Sequence, residues 1–219
     1  MIRTILASWR EASKQPLFRV IIVATAVLLV IVLVLYSSFL KHIDVRQGSI
    51  LNDPVLVLFP AQDFSTITFL LIYGCLVGGL LSLVPSPRHL AVAMLSYALM
   101  VGIRMCAMYV LPLDPPEGMI ILRDPVVEVF GPGAVLTRDL FFSGHTGTLF
   151  ILFLTARMTA LRLLFGIATL TVAVLLLWQH VHYTVDVLAA PFFTLPAFLL
   201  AQRIVPGRVA QEPRGPAKR

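Results

Sequence analysis

The stretch FFSGHTGT, residues 141–148, places a serine, a glycine and a histidine together where a long apolar run begins. A second histidine opens the last apolar run in HYTVD, residues 182–186. An ionisable side chain at membrane depth is costly unless it is paired or has a function. We predict Ser143, Gly144 and His145 at a helix start, where free backbone N–H groups and the helix dipole favour an anion such as phosphate.

The second stretch predicts a side-chain pair. His182 and Asp186 are four residues apart, so on a helix the imidazole and the carboxylate share one face and can form a hydrogen bond. Each of the two stretches therefore places a histidine at the mouth of an apolar helix.

Composition decides the class of protein. The 219 residues are 58% hydrophobic and 13% charged, with a mean hydropathy of +0.92, which excludes an ordinary soluble domain and predicts a membrane protein. The net charge of +6 does not predict a nucleic-acid partner, because the basic residues cluster at the chain ends and in short loops. Cys75 and Cys106 fall inside predicted spans, so we interpret them as small apolar core residues and expect neither a disulfide nor a metal site.

We predict an all-α fold, a polytopic bundle of six transmembrane helices within residues 1–205. Apolar runs of about spanning length occur at 20–40, 64–84, 90–111, 140–156, 163–179 and 183–202. The first run is longer than the apolar region of a secretory signal, so we expect it to be retained. Residues 206–219 form a basic tail that contains Pro and Gly, and we expect it to be disordered.

Several residues within or near the spans are expected to have structural roles. Gly74 and Gly78 form a small-xxx-small face, which predicts the close approach of another helix. Three histidines are expected to be satisfied core residues: His42, His89 and His180. Three aromatic residues near span ends are expected to anchor the chain at the membrane interface: Tyr109, Trp178 and Tyr183.

Six spans place both termini on one side of the membrane, and the distribution of Lys and Arg tests that count. Twelve of the seventeen basic residues fall on the side of the termini, four fall on the other side, and Arg104 lies inside the third span. Both termini are therefore predicted to be cytoplasmic. The protein is expected in the plasma membrane, or in the inner membrane of a bacterium, with its active site on the outer side.

This topology brings the ionisable groups to one depth. His145 lies about 8 Å below the outer end of its helix and Arg104 about 10 Å below the same surface, at 1.5 Å per residue. His182 and Asp186 are similarly shallow. A cation, two imidazoles and a carboxylate near the headgroups suit a phosphorylated lipid better than a soluble ligand.

Three segments resemble the motifs of one enzyme family. DLFFSGHT (139–146) and HYTVDV (182–187) resemble the two signature motifs of sphingomyelin synthases, a branch of the lipid phosphatase/phosphotransferase superfamily, also called the type 2 phosphatidic acid phosphatase superfamily. RMCAMYVLP (104–112) resembles the Arg-containing third-helix motif of that family. The resemblance covers roughly residues 50–190.

The resemblance implies a six-helix enzyme without a cofactor, whose catalytic triad is His145, His182 and Asp186. His182, oriented by Asp186, attacks the phosphodiester phosphorus and forms a phosphohistidine, while His145 serves as general acid and then as general base. Four residues are expected to bind the substrate phosphate: Arg104, Ser143, Gly144 and Thr146. Three further residues are candidates for a supporting role: Asp139, Tyr109 and Tyr183.

Two of these assignments have a structural alternative. Arg104 can pair with Asp63 or Asp139 without binding phosphate, and Asp139 can be a helix N-terminal cap. The two histidines and Asp186 are a set that zinc also accepts, but we expect no metal because the phosphotransferase motifs explain them.

The expected reaction transfers a headgroup between membrane phospholipids and a lipid hydroxyl acceptor, ceramide or diacylglycerol. The sequence lacks the Lys-x6-Arg-Pro run with which phosphomonoesterase members of the superfamily hold a terminal phosphate, and this favours a phosphodiester substrate. Hydrolysis of a phospholipid or a lipid phosphate is the alternative within the enzyme class. A non-catalytic lipid-binding or transport protein is the alternative from another class.

Overall fold

The structure is a computed structural model that describes residues 2–122 and 137–207. Seven α-helices occur in those ranges, which also contain an isolated bridge between Ser49 and Leu113. The helices are α1 (Ile2–Ala12), α2 (Pro16–Asp44), α3 (Ser65–Leu83), α4 (Pro87–Val110), α5 (Gly144–Thr155), α6 (Thr159–Trp178) and α7 (Thr184–Ile204), with a 3₁₀ turn at Leu56–Leu58. The all-α class is confirmed for the described residues.

Five of these helices, α2, α3, α4, α6 and α7, are long and apolar enough to cross a membrane. The predicted span 140–156 is wrong at its start, because residues 140–143 are not helical and α5 begins at Gly144. The 12 residues of α5 rise about 18 Å, which is less than the ~30 Å hydrocarbon core of a bilayer. Six apolar helices are therefore present in the described residues, and five of them have a spanning length.

Other helix boundaries differ from the predicted spans because a loss of apolarity does not by itself end a helix. α2 is longer than its predicted span at both ends: it begins at Pro16, a residue that favours the first helical turn, and it continues through Lys41 to Asp44. α6 begins at Thr159, four residues before the start of its predicted span at residue 163, so Arg162 lies inside the helix. The ends of α3, α4 and α7 lie within three residues of the prediction.

α1 is a helix that the spans do not predict, because only one of its faces is apolar. The Trp9 Nε1–H donates a hydrogen bond to the Val84 carbonyl at 2.8 Å, which attaches α1 to the turn between α3 and α4. Ala12 and Phe18 are fully buried in a core with Val92 of α4 and with residues of α7. α1 is thus packed onto the bundle.

The two ends of the described chain lie at the same end of the bundle. α1 is attached at Val84, and Arg88, four residues further on, donates from Nε to the Pro206 carbonyl at 3.1 Å. We refer to this end as the terminal end and to the other as the loop end. The side of the membrane that the terminal end faces stays a prediction, and residues 208–219 of the expected disordered tail lie outside the described residues.

α4 is the central helix and packs against α2, α5 and α7. Gly147 of α5 permits a close approach to α4 and α7: a Cβ added there would lie 2.6 Å from the Met100 sulfur and 3.1 Å from the Thr194 hydroxyl. The predicted close approach at Gly74 and Gly78 is wrong for the described residues, since a Cβ at either position would meet nothing within 4 Å. The small residue at the crossing point is on α5 instead.

Three of the residues that we expect in the core are not fully buried: Cys106, His42 and His89. Cys75 and His180 are buried, whereas Cys106 is exposed on α4. His42 is exposed in the last turn of α2, so its assignment as a core histidine is wrong. His89 is half-buried. Position within an apolar run does not determine which side of the helix faces the bundle.

At the loop end, the described loops 45–64 and 111–122 are tied to each other and to the turn after α6. His180 is the clearest tie: Nδ1 lies 3.2 Å from the Glu117 carbonyl and Nε2 lies 3.2 Å from the Phe59 carbonyl, so His180 is a satisfied structural histidine as predicted. The Gln179 side chain accepts from Phe64 N at 3.2 Å and donates to the Ile120 carbonyl at 3.2 Å. Residues 123–136 of the connection between α4 and α5 lie outside the described residues.

Asp53 ties the first loop to the start of α7. Its carboxylate accepts hydrogen bonds from Thr184 N at 2.6 Å, from the Thr184 hydroxyl at 3.0 Å and from Val55 N at 2.9 Å. Burial raises the pKa of the Asp53 carboxyl, but the hydrogen bonds from Thr184 and Val55 outweigh burial and hold the pKa below its ordinary value. The ionised form is thus favoured by the fold.

The crossing at Gly147 predicts a contrast between two glycine substitutions. Gly147→Ala forces Met100 and Thr194 to move and should destabilise the protein by about 1–3 kcal/mol. Gly78→Ala, the matched control, introduces a methyl group into open space and replaces a helical glycine, so it should be neutral or stabilising by up to about 1 kcal/mol. Thermal unfolding in one detergent measures both, and equal midpoints for the two variants would contradict this packing.

The Asp53 contacts predict a pH-dependent loss of stability. Because the folded pKa is lowered, Asp53 stabilises the protein above the unfolded pKa of about 3.9, and this contribution is lost as the pH falls through the folded pKa. Asp53→Asn should therefore lower the unfolding midpoint at neutral pH, and the difference from wild type should shrink as the medium is acidified below about pH 4. Glu11→Gln at the terminal end is the control, and a constant difference across this pH range would count against the ionised contact.

Candidate active site

The start of α5 is built on Ser143. Ser143 is the N-cap, and its buried hydroxyl oxygen accepts hydrogen bonds from Thr146 N at 3.3 Å and from the Thr146 hydroxyl at 3.1 Å. This confirms the predicted helix start and shows that Asp139, four positions before the N-cap, is not the cap of this helix. A hydroxyl that accepts bonds still has its own proton to donate, so Ser143 can also bind an anion.

The start of α7 holds the second predicted pair. His182 Nδ1 lies 3.1 Å from Asp186 Oδ2, and the two side chains are 3% and 0% exposed. The same carboxylate oxygen accepts a hydrogen bond from Tyr183 N at 3.2 Å. A carboxylate can only accept, so a hydrogen bond from a neutral imidazole to it requires the proton on His182 Nδ1 and leaves the lone pair of the ring on Nε2.

The second carboxylate oxygen of Asp186 distinguishes this residue from a structural cap. Oδ1 is buried and has no hydrogen-bond partner among the described residues. A buried acceptor without a partner is costly for a residue with a purely structural role. The lack of a partner for Oδ1 among the described residues therefore supports a functional role for Asp186.

The two helix starts are joined to each other. Ser143 N donates a hydrogen bond to the Asp186 carbonyl at 3.1 Å. Gly144 lies directly against the guanidinium group of Arg104, since a Cβ added at Gly144 would be 3.2 Å from Arg104 Cζ. The structure therefore brings together predicted site residues from α4, α5 and the α7 start.

Arg104 is buried and bound on several sides. Its Nη1 lies 2.8 Å from Asp139 Oδ1, Nη2 donates to the Asp139 carbonyl at 3.1 Å, and Nε donates to the Phe142 carbonyl. The Tyr36 hydroxyl contacts Arg104 Nη1 and donates to Asp139 Oδ1 at 3.0 Å. Of the two predicted pairings, the structure has the one with Asp139, whereas Asp63 binds the start of α3.

His145 lies in the first turn of α5, two residues after Ser143, and is half-buried. Its ring stands edge-on to Phe69 of α3, with 6.4 Å between the ring centroids. Because Ser143 is bonded to Asp186, the turn that carries His145 is fixed against the turn that carries the His182–Asp186 pair.

The remaining candidates have structural contacts. Tyr183 is buried, and its hydroxyl donates to the Asp114 carbonyl at 2.9 Å and accepts from Leu51 N at 3.2 Å, so its assignment as an interface anchor is wrong. Tyr109 is 59% exposed beside Arg46, and Trp178 is 39% exposed. The exposure of these two is compatible with interface anchors.

Three residues that support the site are not apparent from the motifs: Tyr36, Asp53 and Gln179. Tyr36 is an aromatic residue inside an uncharged apolar run, which gives no local signal for its contact with Arg104. Asp53 has the weak signal of an acidic residue before a proline in the first loop. Gln179 is a polar residue at the end of an apolar run, which is a weak sequence signal, and only the structure shows that it is completely buried.

The arrangement can perform nucleophilic substitution at phosphorus. It offers an imidazole with a free Nε2 lone pair, a carboxylate that orients this imidazole, a second imidazole on a neighbouring turn, and two helix N-termini that favour an anion. Among the described residues, no three His, Cys, Asp or Glu side chains are grouped to hold a metal ion.

The comparison with known proteins agrees with this location. Residues 138–203 match the family described as PAP2 superfamily, C-terminal, a segment that runs from just before α5 to the last turn of α7 and contains His145, His182 and Asp186. A search of curated proteins gives no match. This similarity over residues 138–203 and the five helices that are long and apolar enough to cross a membrane together indicate an integral membrane protein.

Proposed function

We propose that the protein is a lipid phosphotransferase that moves a phospho-headgroup from a glycerophospholipid to the hydroxyl of a second lipid, ceramide or diacylglycerol. The observation that carries the proposal is the buried His182–Asp186 pair, whose Asp186 carbonyl is bonded to the helix start that bears His145. The resemblance of both stretches to sphingomyelin synthase motifs supports a phosphodiester substrate.

In the first half-reaction, His182 Nε2 attacks the phosphorus of the donor phospholipid. A P–N bond forms, and the bond between phosphorus and the glyceride oxygen breaks. His145 gives a proton to that oxygen, so the diacylglycerol leaves as a neutral alcohol. Asp186 keeps the proton on Nδ1 and stabilises the positive charge that develops on the ring.

In the second half-reaction, the acceptor hydroxyl attacks the phosphohistidine. His145, now neutral, removes the hydroxyl proton, and the P–N bond breaks as the new P–O bond forms. His182 returns to its starting state, so one enzyme molecule can transfer many headgroups.

The negative charge on the equatorial phosphate oxygens is stabilised by the helix starts. The Ser143 hydroxyl and the first amides of α5, at Gly144 and His145, are the proposed donors. Arg104 contributes its positive charge next to Gly144 and fixes the Phe142 carbonyl and Asp139, so its removal should disturb the position of α5 as well as the local charge. Thr146 acts through Ser143, to which both of its donors are directed.

The reaction is proposed to occur at the outer leaflet, because the positive-inside rule places the terminal end in the cytoplasm. The His182–Asp186 pair lies at the loop end, at the N-terminus of α7. Both lipid substrates reach this depth from the membrane.

Hydrolysis is the second candidate, and the match to a superfamily that includes phosphatases favours it. Water would then replace the lipid acceptor in the second half-reaction, with the same phosphohistidine and the same two histidines. A non-catalytic lipid-binding protein is the third candidate. Lipid binding alone does not explain why Asp186 orients the His182 imidazole with Nε2 available.

Incubation of the purified full chain with a headgroup-labelled phospholipid separates these functions. Three samples contain added ceramide, added diacylglycerol or no acceptor, and mass spectrometry identifies the products. We expect label on an added acceptor. A labelled water-soluble headgroup phosphate would identify a hydrolase, and intact phospholipid retained by the protein in all samples would overturn the enzyme proposal.

Asp186→Asn tests the role of the carboxylate. The amide has nearly the same shape, but it loses the charge and can present an N–H to His182 Nδ1, which favours the wrong tautomer. In serine proteases the corresponding change lowers turnover by about 10⁴-fold. We predict that Asp186→Asn folds, keeps its affinity for phospholipid within a few-fold and loses most turnover at neutral pH.

Asp63→Asn is the matched control for this variant, because Asp63 also binds a helix start at the loop end but contacts Ser65. It should retain wild-type turnover. Binding and turnover are measured on protein that elutes as a single species. Near wild-type turnover of Asp186→Asn would refute the triad, and equal losses of binding and turnover would favour the lipid-binding alternative.

A further inference from the structure

A polar cavity lies at the terminal end of the bundle, away from the candidate active site. Its volume is about 280 Å³, near the lower limit of typical ligand pockets. It is lined by the first turn of α4, the end of α5, the start of α6 and the end of α7. The cavity belongs to no part of the site described above.

The cavity is remote from the catalytic residues along the helices that they share. Arg88 lines the cavity and Arg104 lies at the candidate active site, sixteen residues apart on α4. The same interval separates Asp186 from Gln202 on α7. At 1.5 Å per residue, each interval corresponds to about 24 Å.

The described residues give this cavity a one-sided charge. Three arginines line it, Arg88, Arg157 and Arg162, together with His89, and no Asp or Glu is among the lining residues in the part of the chain that the structure describes. Three contacts of these arginines are with neutral groups: Arg88 with the Pro206 carbonyl, Arg162 with the Ala156 carbonyl and Arg157 with the Ser86 hydroxyl. The contacts of Arg88 and Arg162 hold these two guanidinium groups in place, and a neutral carbonyl does not neutralise their charge.

The cavity also has an apolar wall. Val92, Leu154 and Phe198 line it, and all three belong to or pack on the core that buries Ala12 and Phe18. A cavity with cationic groups on one side and an apolar wall on the other fits a ligand that is both anionic and partly apolar.

We propose that this cavity binds a phosphate-bearing anion and that its ligand is the phosphate headgroup of a membrane lipid at the terminal end. Guanidinium groups donate paired hydrogen bonds to phosphate oxygens, and several of them around one cavity favour phosphate over a neutral headgroup. The glyceride part of the lipid lies along the Val92–Leu154–Phe198 wall. This site does not depend on the phosphotransferase proposal, because none of its residues belongs to the triad.

The test compares two double variants with the same loss of charge at the same end of the molecule. Arg88→Gln/Arg162→Gln removes two cavity arginines, whereas Arg19→Gln/Arg203→Gln removes two exposed arginines that do not line the cavity. All proteins are full chains that also carry His182→Ala, so turnover at the loop end cannot consume the lipid. Thermal unfolding without ligand checks that each variant is folded.

Native mass spectrometry and ligand-dependent thermal shifts are recorded with phosphatidic acid, with diacylglycerol and with inorganic phosphate. We expect phosphatidic acid to bind the control double variant like the parent protein. The cavity double variant should bind it about tenfold more weakly or worse, because each lost charge-assisted contact is worth at least a factor of about ten. Diacylglycerol should show no dependence on the cavity arginines.

The remaining outcomes are also informative. Cavity-dependent binding of inorganic phosphate without binding of phosphatidic acid would keep the anion site and identify a soluble phosphate as its ligand. Equal weakening in both double variants would overturn the proposal, because it would show a general effect of surface charge. If the cavity double variant fails to fold, Arg162→Gln alone replaces it, and unchanged phosphatidic acid binding by that variant would also overturn the proposal.

Discussion

One residue, Asp186, fixes the relation between the two helix starts of the candidate site. Its carbonyl accepts the Ser143 amide of the α5 start at 3.1 Å, and its carboxylate accepts His182 Nδ1 at 3.1 Å. The main chain of Asp186 thus positions the turn that carries His145, while its side chain positions His182. A displacement of α7 relative to α5 would move both imidazoles, so the candidate chemistry depends on this junction.

The surrounding structure holds the junction from two directions. Arg104 of α4 binds the segment before α5 through Asp139 and the Phe142 carbonyl. Asp53 of the first loop binds the amide and hydroxyl of Thr184 at the start of α7. In an apolar bundle, a polar network of this kind is stabilising only when its members are satisfied, and the unpartnered Asp186 Oδ1 is the exception at the candidate site.

Much of the local structure follows from the sequence because it depends on short-range patterns. The apolar runs predict six of the helices, the Ser143 helix start follows from the FFSGHTGT stretch, and the four-residue spacing predicts the His182–Asp186 contact. What the patterns do not predict is contact between distant segments. α5 is short because residues 140–143 are not helical, and Arg104 binds this segment through the Asp139 and Phe142 carbonyls. Arg104 also contacts Tyr36 of α2, although neither helix carries a local signal for that contact.

The same distinction explains the wrong assignments. Asp139 has the residue type of a cap, but the helix begins later, and its carboxylate is bound to Arg104 instead. Gly78 has the spacing of a packing motif, but it is Gly147 that meets α4 and α7. Residue type and spacing limit the possible roles, whereas the direction of each side chain is decided by the packing of the whole bundle.

In the proposed reaction, His182 Nε2 becomes bonded to the headgroup phosphorus. The most direct test identifies the residue that carries this covalent bond. The protein is mixed with a phospholipid labelled in the headgroup phosphate, without an acceptor, and is quenched and digested under conditions that preserve phosphohistidine. Fragmentation mass spectrometry then identifies the labelled residue. We expect the label on His182, whereas turnover with the label on His145 or on another residue would contradict a phosphohistidine at His182.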